Sequence, residues 1–447
     1  MHKPLLTVYI LCKNYSQYVS KSIKSVLSQS YEQIDFIIID DFSSDDSFQV
    51  ILKAIRGTNT RIIRNNTTLG LTACCNIALH EAKGDYILRL DADDYLADEA
   101  LCNLVSVIRN NHSVGMVYGD YIEIASDGTY IADISSPSQE ICVLQGISPH
   151  GACTLFKTSV LRNINGYSEE FDRQDGFYIW LKLLKNVPIL KCNANIFYYR
   201  KHSFSLSSKK ILLLQERYRI LSHFFSQLNS THKCAAILLI REHIATYDYS
   251  SLKQGNSHTI LKYSHLLNCI QSLPSITDAY VYASLDDGVS AEMRHLFPRV
   301  TVIPRSSDIS QSFLSLTSFY ESHVKHLKSI GYQDDDLILT ISDQHINMPK
   351  LYIEAMIHKA LVFKHSTTLS VTMTESEVFS HDGIPINNTA ISSTRRTRNP
   401  LFIHDGGLRA MRLKAFIDVL SPLNDNLGFL EIDRMIIHQD SHTTLPL

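Results

Sequence analysis

Three aspartates stand together in the first quarter of the chain, directly after a short apolar run. Asp91, Asp93 and Asp94 follow Tyr86–Leu90, and Gly84 lies just before that run. An apolar run of this length bounded by glycine is typical of a buried strand. Carboxylates crowded at a strand end repel one another unless a cation lies between them, and oxygen ligands suit Mg²⁺ or Mn²⁺. The pattern predicts a divalent-metal site, although surface turns and helix caps also use aspartate.

A second carboxylate pair follows another apolar run earlier in the chain. Asp40 and Asp41 come directly after Ile34–Ile39. In open α/β sheets, ligands bind at the carboxyl ends of the strands. Two strands that both end in carboxylates therefore predict a nucleotide-binding crevice at that edge of a sheet.

The elements that would position these carboxylates alternate along the first 90 residues. Apolar runs predict strands at 5–12, 34–39, 61–64 and 86–90, and helical spacing predicts helices at 20–29, 43–55 and 72–82. Strands that alternate with helices are typical of parallel βαβ units in a doubly wound sheet. We therefore predict an α/β fold whose strand ends carry the site.

Composition narrows the class of protein. The chain has 447 residues, a net charge of −3 and scattered basic residues, so we predict two or three domains and no nucleic-acid partner. No apolar run approaches the ~20 residues of a membrane span, and the chain enters its first strand without room for a signal peptide. Nine cysteines without a C-x-x-C spacing indicate reduced thiols. These features predict a cytoplasmic location.

Several short motifs over residues 1–210 occur in the order of one known family. They are Ser25–Tyr31, Ile39–Asp45, Leu69–Leu71, Gly84–Tyr86, Asp91–Asp94, Asn165–Glu170, Gln174–Gly176 and Tyr199–His202. With them, this half resembles a family 2 glycosyltransferase of the GT-A fold, a Rossmann-like mixed sheet. The resemblance implies an inverting enzyme of surface polysaccharide biosynthesis. It would move a sugar from a nucleotide-diphosphate donor to a glycan or lipid-linked acceptor.

The resemblance also implies roles for the carboxylates. Asp93 would hold the metal ion, and Asp91 would contact the same ion or the donor's ribose. The base that takes the acceptor's proton lies, in the family, a few residues before a tryptophan. Asp175, five residues before Trp180, fits that place. Its alternative role is the N-cap of the helix that follows.

The donor nucleotide would be held by residues at other strand ends. The family's pattern implies that Asp41 accepts a hydrogen bond from the base, with Asn14 and Asp40 as neighbours, while Asp40 alternatively caps its strand. His202 matches a segment that closes over the diphosphate. Many relatives carry tyrosine where this chain has Lys13, which leaves the base open, with a UDP-sugar as the favoured donor.

The second half has an α/β rhythm of its own, which predicts a domain at 241–447 after a helical connector at 211–240. It resembles cytidylyltransferases that activate acidic sugars. The segments that carry this resemblance are Tyr282–Asp287, Val302–Arg305, Arg395, Arg396, Arg398, Asp405–Gly407 and Gly428–Ile432. Apolar runs predict strands at 279–284, 300–303, 337–341 and 369–373, and helical spacing predicts a helix at 348–360.

One departure bears on the activity of this second domain. The stretch 244–255, where the family has a phosphate loop rich in Gly, Arg and Lys, offers only Lys253 and Gly255. We therefore predict a degenerate domain that binds a partner or an acidic sugar, or serves as a scaffold. Two alternatives stay open: a bifunctional protein that makes or binds a CMP-activated acidic sugar, and a non-catalytic assembly protein. Basic residues in the connector also allow peripheral association with the inner membrane.

Overall fold

The structure is a computed structural model in which two compact units meet in sequence between Arg217 and Tyr218. It describes residues 3–109, 111–145, 147–171, 173–184, 186–202, 210–227, 232–239, 263–283, 293–304, 323–342, 348, 350–363, 367–374, 401–412 and 427–431.

The first unit is built on one mixed sheet. Its strands are β1 (Leu6–Cys12), β2 (Ile34–Asp40), β3 (Arg61–Arg64), β4 (Tyr86–Asp91), β5 (Tyr95–Leu96), β6 (Met116–Ala125), β7 (Tyr130–Ile134), β8 (Leu155–Lys157) and β9 (Ile189–Lys201). Among the described residues the order is β3-β2-β1-β4-β8-β6-β9-β5, and β7 pairs with β6. The predicted α/β class with a Rossmann-like mixed sheet is confirmed.

The parallel half of this sheet brings the predicted site residues to one edge. β1 pairs in parallel with both β2 and β4, so Cys12 lies beside Asp40 and Leu11 lies beside Asp91. Because parallel strands end at the same edge, the carboxylates after β2 and β4 meet there. The strands of this half were predicted from sequence to within one residue at each end.

Helices connect the strands of this sheet. They are α1 (Val19–Leu27), α2 (Ser47–Ala54), α3 (Leu71–Glu81), α4 (Ala100–Arg109), α5 (Gln139–Gln145), α6 (Thr158–Asn163) and α7 (Asp175–Leu183), and α8 (Lys210–Gln227) begins in the first unit and continues into the second. Val19, Ile23 and Val26 of α1 recur at helical spacing, and all are buried against the strands. The same apolar spacing that predicted the helices therefore forms the core.

Antiparallel strands complete the first sheet. β8 runs antiparallel to both β4 and β6, β9 runs parallel to β6, and β5 runs antiparallel to β9. This arrangement carries the end of β9 back to the turn that follows β4, since Tyr95 pairs with Tyr198. Two distant stretches of chain thus meet beside the aspartate cluster.

The second unit also has a mixed sheet. Its strands are β10 (Cys234–Leu239), β11 (Asp278–Ala283), β12 (Val300–Pro304), β13 (Leu337–Ser342), β14 (Thr367–Thr374), β15 (Leu401–Arg412) and β16 (Leu427–Glu431), with the helix α9 (Lys350–Val362). The described strands follow the order β12-β11-β10-β13-β15-β14-β16, and the first four are parallel. Four parallel strands, β12-β11-β10-β13, are followed by the antiparallel strand β15, just as β3-β2-β1-β4 are followed by the antiparallel strand β8 in the first unit.

One prediction about the chain's organisation is wrong. Residues 211–240 were expected to form a helical connector, but the helix ends at Gln227 and Cys234–Leu239 forms β10, the strand between β11 and β13. A short, fully apolar run has no periodicity that separates a buried strand from a buried helix. Here the run is buried by neighbours on both sides, which only the tertiary structure supplies.

Several residues of the second-half predictions lie outside the described residues. These are the stretch 244–255 with Lys253 and Gly255, Asp286, Asp287, Arg305 and the arginines 395, 396 and 398. Within the described part of the chain, no helix combines the length and the apolar character that a bilayer crossing requires.

Candidate functional site

The aspartate cluster lies where β4 ends. Asp91 is the last residue of β4, and the amide of Asp94 donates to the carbonyl of Asp91 at 3.1 Å, which closes a tight turn around Asp93. Asp93 Oδ2 lies 2.9 Å from Nε2 of His202, the residue that follows β9. The structure thus brings together Asp91, Asp93 and His202, which the sequence assigned to the same site.

Asp94 has a different role from its neighbours. Its side chain is 2% exposed, and its Oδ1 accepts the backbone amide of Arg200 at 2.8 Å. Burial raises the pKa of Asp94 well above its usual range, and the charges of Asp93 and Asp91 raise it further. The guanidinium of Arg200 in turn donates to the carbonyl of Asp93 at 2.8 Å. Asp94 therefore fastens β9 to the turn.

Like charges remain close together at this turn. Burial raises the pKa of the Asp91 carboxyl to about 6, Arg89 lowers it, and Asp93 and Asp175 raise it. A bound cation relieves such repulsion. Asp93 Oδ2 and His202 Nε2, 2.9 Å apart, are at hydrogen-bonding distance from each other.

Metal binding at this turn stays a prediction. In the described residues, no group of three or more His, Cys, Asp or Glu side chains is placed to hold a metal ion. Mg²⁺ typically uses one or two protein carboxylates and takes its other ligands from substrate phosphates and water. Asp91 and Asp93 meet that requirement in number, and His202 contacts Asp93.

The predicted base lies at the start of α7 and contacts β4 through Arg89. Asp175 is the first residue of α7, and its Oδ2 accepts Nη1–H of Arg89 at 2.5 Å. The N-cap position belongs to Gln174, which makes no side-chain cap bond, so the alternative N-cap role of Asp175 is wrong. The first turn still suits a carboxylate, because the helix N-terminus carries partial positive charge.

Arg89 connects the two parts of the site. It lies on β4 with its side chain 6% exposed, between Asp175 and Asp91. Its Nε lies 3.1 Å from Asp91 Oδ1, but the N–H direction makes this contact an ion pair and not a hydrogen bond. Burial lowers the pKa of Arg89, yet Asp175 and Asp91 raise that pKa well above its ordinary value. Arg89 is a charged member of the site.

A glycine contact holds the next loop against α7. A Cβ added to Gly176 would lie 2.8 Å from Cα of Gly151, closer than real Cβ contacts allow. His150 precedes this contact, and its Nδ1 accepts the amide of Ala152 at 3.2 Å. Burial lowers the pKa of His150 to about 4, with Arg89 adding to the effect. The ring is therefore neutral near pH 7 and carries its proton on Nε2.

The residues assigned to the nucleotide are fixed by the protein itself. Asp41 accepts hydrogen bonds from Asn65 Nδ2 at 2.8 Å and from the amides of Leu69 and Gly70 at 2.8 and 3.0 Å. Gly70 has a φ of 92°, which a residue with a side chain rarely adopts. These bonds depress the pKa of Asp41, although burial opposes them. Asp41 thus shapes the loop before α3.

Asn14 and Asp40 lie beside Asp41 at the same edge. Asn14 has a φ of 59°, and its Oδ1 accepts the amide of Ser44 at 2.8 Å, which joins the loops after β1 and β2. Asp40 is fully buried, and its Oδ2 lies 3.2 Å from Nε of Arg64 without a hydrogen-bond direction. Contact of these residues with a nucleotide stays a prediction.

Sequence reasoning missed Arg89, which it treated as part of an apolar strand. A signal was available, because a buried arginine is almost always paired with a carboxylate. An arginine inside a central strand therefore predicts that an acidic residue lies next to it in the fold. It does not say which of the 45 acidic residues that partner is.

Known proteins share the first part of this chain. The family model described as glycosyl transferase family 2 matches residues 7–163. The chain is 27% identical over 223 residues to the E. coli protein WfgD, covering 49% of this chain and 86% of that one. It is 30% identical over 215 residues to E. coli WfaP, covering 46% and 81%. Both carry the name UDP-Glc:alpha-D-GlcNAc-diphosphoundecaprenol beta-1,3-glucosyltransferase.

A solved structure is similar as well. S. aureus TarS 1-349 in complex with UDP-GlcNAc aligns with a TM-score of 0.44 at 15% identity, over 80% of this chain and 91% of that one. The 30% identity covers 81% of the length of WfaP, and the glycosyl transferase family 2 model matches residues 7–163. This chain therefore belongs to glycosyl transferase family 2.

Proposed function

We propose that the first unit transfers a sugar, with inversion, from a nucleotide-diphosphate donor to a hydroxyl of a glycan or lipid-linked acceptor. The names of WfgD and WfaP, which use UDP-glucose and a diphosphoundecaprenol-linked acceptor, support a UDP-sugar donor and a lipid-linked acceptor. Surface polysaccharide biosynthesis is the process that this chemistry would serve. Peripheral association with a membrane follows from such an acceptor and stays a prediction.

One observation carries this proposal. A donor-side group, Asp93 with His202, and an acceptor-side carboxylate, Asp175, are joined across one strand through Arg89 and Asp91. A displacement reaction needs a charged site for the leaving group and a base for the attacking group. The two lie at one edge of the sheet and come from stretches 109 and 86 residues apart in sequence.

The base chemistry follows from the contacts of Asp175. Its Oδ2 is held by Arg89, and no described residue donates to its Oδ1. We assign Oδ1 to take the proton of the acceptor hydroxyl as that oxygen attacks the anomeric carbon of the donor. The bond from that carbon to the diphosphate breaks, and the nucleoside diphosphate leaves. A single displacement of this kind inverts the anomeric centre.

Asp93, Asp91 and His202 would hold a divalent ion, Mg²⁺ or Mn²⁺. When bound, the ion neutralises the charge that develops on the leaving diphosphate. His202 follows the arm of β9, beside Tyr15 and Tyr18, whose rings lie 6.0 and 5.7 Å from its own. These rings support the imidazole at the place where the sequence expected a segment to close over the diphosphate.

The test compares Asp93→Asn with a matched change at Asp98, an exposed aspartate of the same turn region. We expect Asp93→Asn to lose transfer and metal-dependent UDP binding, and Asp98→Asn to keep both. Transfer would be measured with a panel of UDP-sugars in Mn²⁺, Mg²⁺ or EDTA, and UDP binding by calorimetry. Full activity in EDTA, or in Asp93→Asn, contradicts the metal role.

We propose that the second unit is a cytidylyltransferase-like domain that binds a partner or an acidic sugar and does not catalyse nucleotidyl transfer. Its strand order, which repeats that of the first sheet, supports an α/β unit, and the cytidylyltransferase likeness rests on the sequence resemblance alone. Residues 218–447, made separately, should release no pyrophosphate from CTP in the presence of acidic sugars. Pyrophosphate release that disappears on mutation of Lys253 would instead favour a bifunctional enzyme.

A further inference from the structure

We propose that Arg89 is the positioning residue of the base. It holds Asp175 in one orientation toward the acceptor and ties that orientation to Asp91 in the donor site. The inference rests on the proposed function, in which Asp175 is the base. It adds a residue that acts on the base through its contact with that carboxylate.

The geometry of β4 makes Arg89 suitable for this role. Residues two apart in a strand point to the same face, so Arg89 and Asp91 share one side of β4. The guanidinium reaches Asp175 Oδ2 with Nη1 and lies 3.1 Å from Asp91 Oδ1 with Nε. One planar cation thus contacts a carboxylate of the donor site and a carboxylate of the acceptor site.

The surroundings of Arg89 leave these carboxylates as its charged neighbours. Cys75 Sγ lies 3.6 Å from Nη1, and burial raises the pKa of that thiol to about 11, so it is neutral. Burial also raises the pKa of Tyr9, which keeps that phenol neutral. A buried arginine–carboxylate pair typically stabilises the folded protein no more than well-packed apolar residues of similar volume would, because both charges lose their hydration. The contact of this buried arginine with the predicted base fits a role in placing Asp175.

Arg89 restricts Asp175 in a defined way. The contact uses one carboxylate oxygen and leaves the other, Oδ1, for the acceptor. The close approach of Gly151 to Gly176 presses the loop 150–153 on the start of α7, which limits movement of the backbone. Without Arg89, Asp175 could rotate toward the free amides of its own helix. Oδ1 would then leave the position from which it meets the attacking hydroxyl.

The test is a double-mutant cycle on the full-length protein. Misplacement of a catalytic group by about 1 Å can cost ~10²-fold, so Arg89→Met should lower kcat by about that factor. Donor KM should change much less, because Asp93 and His202 are untouched. When Asp175→Asn is already present, adding Arg89→Met should cause almost no further loss of kcat, because the carboxylate that Arg89 positions is gone. Arg89→Lys, which keeps a cation, should recover much of the loss.

Each outcome separates the positioning role from others. If Arg89→Met lowers kcat by the same factor in the wild-type protein and in Asp175→Asn, the role of Arg89 is merely structural. If Arg89→Met alone leaves kcat near normal, Arg89 does not position the base. If Asp175→Asn itself keeps its turnover, the base assignment of the proposed function fails instead. Should the Met variant not fold, Arg89→Gln and Arg89→Lys complete the same cycle. Arg61→Met, at an arginine–aspartate pair remote from the site, is the control.

Discussion

Two arginine–carboxylate clusters lie at opposite ends of the first sheet. The amino-end cluster consists of Arg61, Asp35 and Glu81, and the carboxyl-end cluster of Arg89, Asp175 and Asp91. In each, an arginine on a strand contacts two acidic residues, of which Asp91 lies on the same strand as Arg89 and the others lie on other elements. The same residue types thus occur twice, once near the starts of the strands and once near their ends.

The amino-end cluster is saturated with hydrogen bonds. Arg61 donates to both oxygens of Asp35, with Nη2 at 2.8 Å from each. Asp35 Oδ2 also accepts the hydroxyl of Thr7 at 2.8 Å and the amide of Lys83 at 3.1 Å. The Arg61 side chain is 27% exposed. This cluster ties neighbouring strands together and leaves its aspartate no place for a ligand.

The carboxyl-end cluster is drier and less complete. The Arg89 side chain is 6% exposed, and its contact with Asp175 uses one oxygen of that carboxylate. A buried charge with an open acceptor site is unfavourable for stability and useful for chemistry. In this comparison, the structural cluster has its acceptor oxygens saturated with hydrogen bonds, whereas the proposed functional cluster has an ion pair and an open acceptor oxygen.

The largest expected contrast is in turnover. Asp175→Asn should lower kcat by about 10²–10⁴-fold, the usual contribution of a positioned base. Asp35→Asn should leave kcat near its normal value, because that carboxylate lies at the other end of the strands. Steady-state kinetics with a UDP-sugar, together with UDP affinity, would measure both. Equal losses in the two variants would end the functional distinction between the clusters.

The next contrast is in stability. Arg89→Met leaves a buried carboxylate unpaired, which costs about 3–5 kcal/mol. Arg61→Met leaves Asp35, which is as little exposed as Asp175, without its arginine. Asp35 keeps its hydrogen bonds from Thr7 and Lys83, so the expected cost is about 1–2 kcal/mol. Fluorescence of Trp180, the single tryptophan of the chain and fully buried in α7, follows unfolding of the first unit alone. A larger loss in Arg61→Met would show that the remaining hydrogen bonds of Asp35 do not limit the cost.

Glycines beside each cluster allow a steric comparison. A Cβ on Gly176 would lie 2.8 Å from Gly151 Cα, and one on Gly84 would lie 2.4 Å from the amide nitrogen of Thr7. Overpacking of this kind typically costs about 1–3 kcal/mol. We expect both alanine variants to be destabilised, but only Gly176→Ala to lower kcat at a temperature where both stay folded. Selective loss of kcat in Gly84→Ala would contradict this.

The last contrast is a pH dependence. Because the pKa of His150 is lowered to about 4, the folded state resists a proton that the unfolded state accepts near its ordinary value of about 6.5. His150 therefore contributes to folding stability above pH ~6.5, and this contribution is lost as the pH falls from ~6.5 through about 4. His150→Gln should therefore flatten the pH dependence of Trp180 unfolding in that window.

His80 is the matched control for this measurement. It lies beside Glu81 of the amino-end cluster, and its side chain is 85% exposed. His80→Gln should leave the pH dependence unchanged, since an exposed imidazole is solvated in both the folded and the unfolded state. Flattening by His80→Gln equal to that by His150→Gln would show that burial does not set the effect.

Much of the first unit could be predicted from its sequence. The strand Arg61–Arg64 was predicted with its observed bounds, and Tyr86–Leu90 is one residue short of β4. β10 was missed, because Ala235–Leu239 is apolar at every position and has no period. The role of Asp94 could not be read either, since an aspartate that faces a metal and one that binds an amide look alike in sequence.

Which strands end in carboxylates follows from local sequence, because apolar runs and the residues after them are local features. These local features were enough to place Asp41, Asp91 and Asp93 at one edge of a parallel sheet. Three contacts depend on the tertiary fold: His202 with Asp93, Arg89 with Asp175, and Asp94 with the backbone of β9. These contacts join residues 86 to 109 positions apart, and their partners are chosen by strand pairing and burial, which no local pattern records.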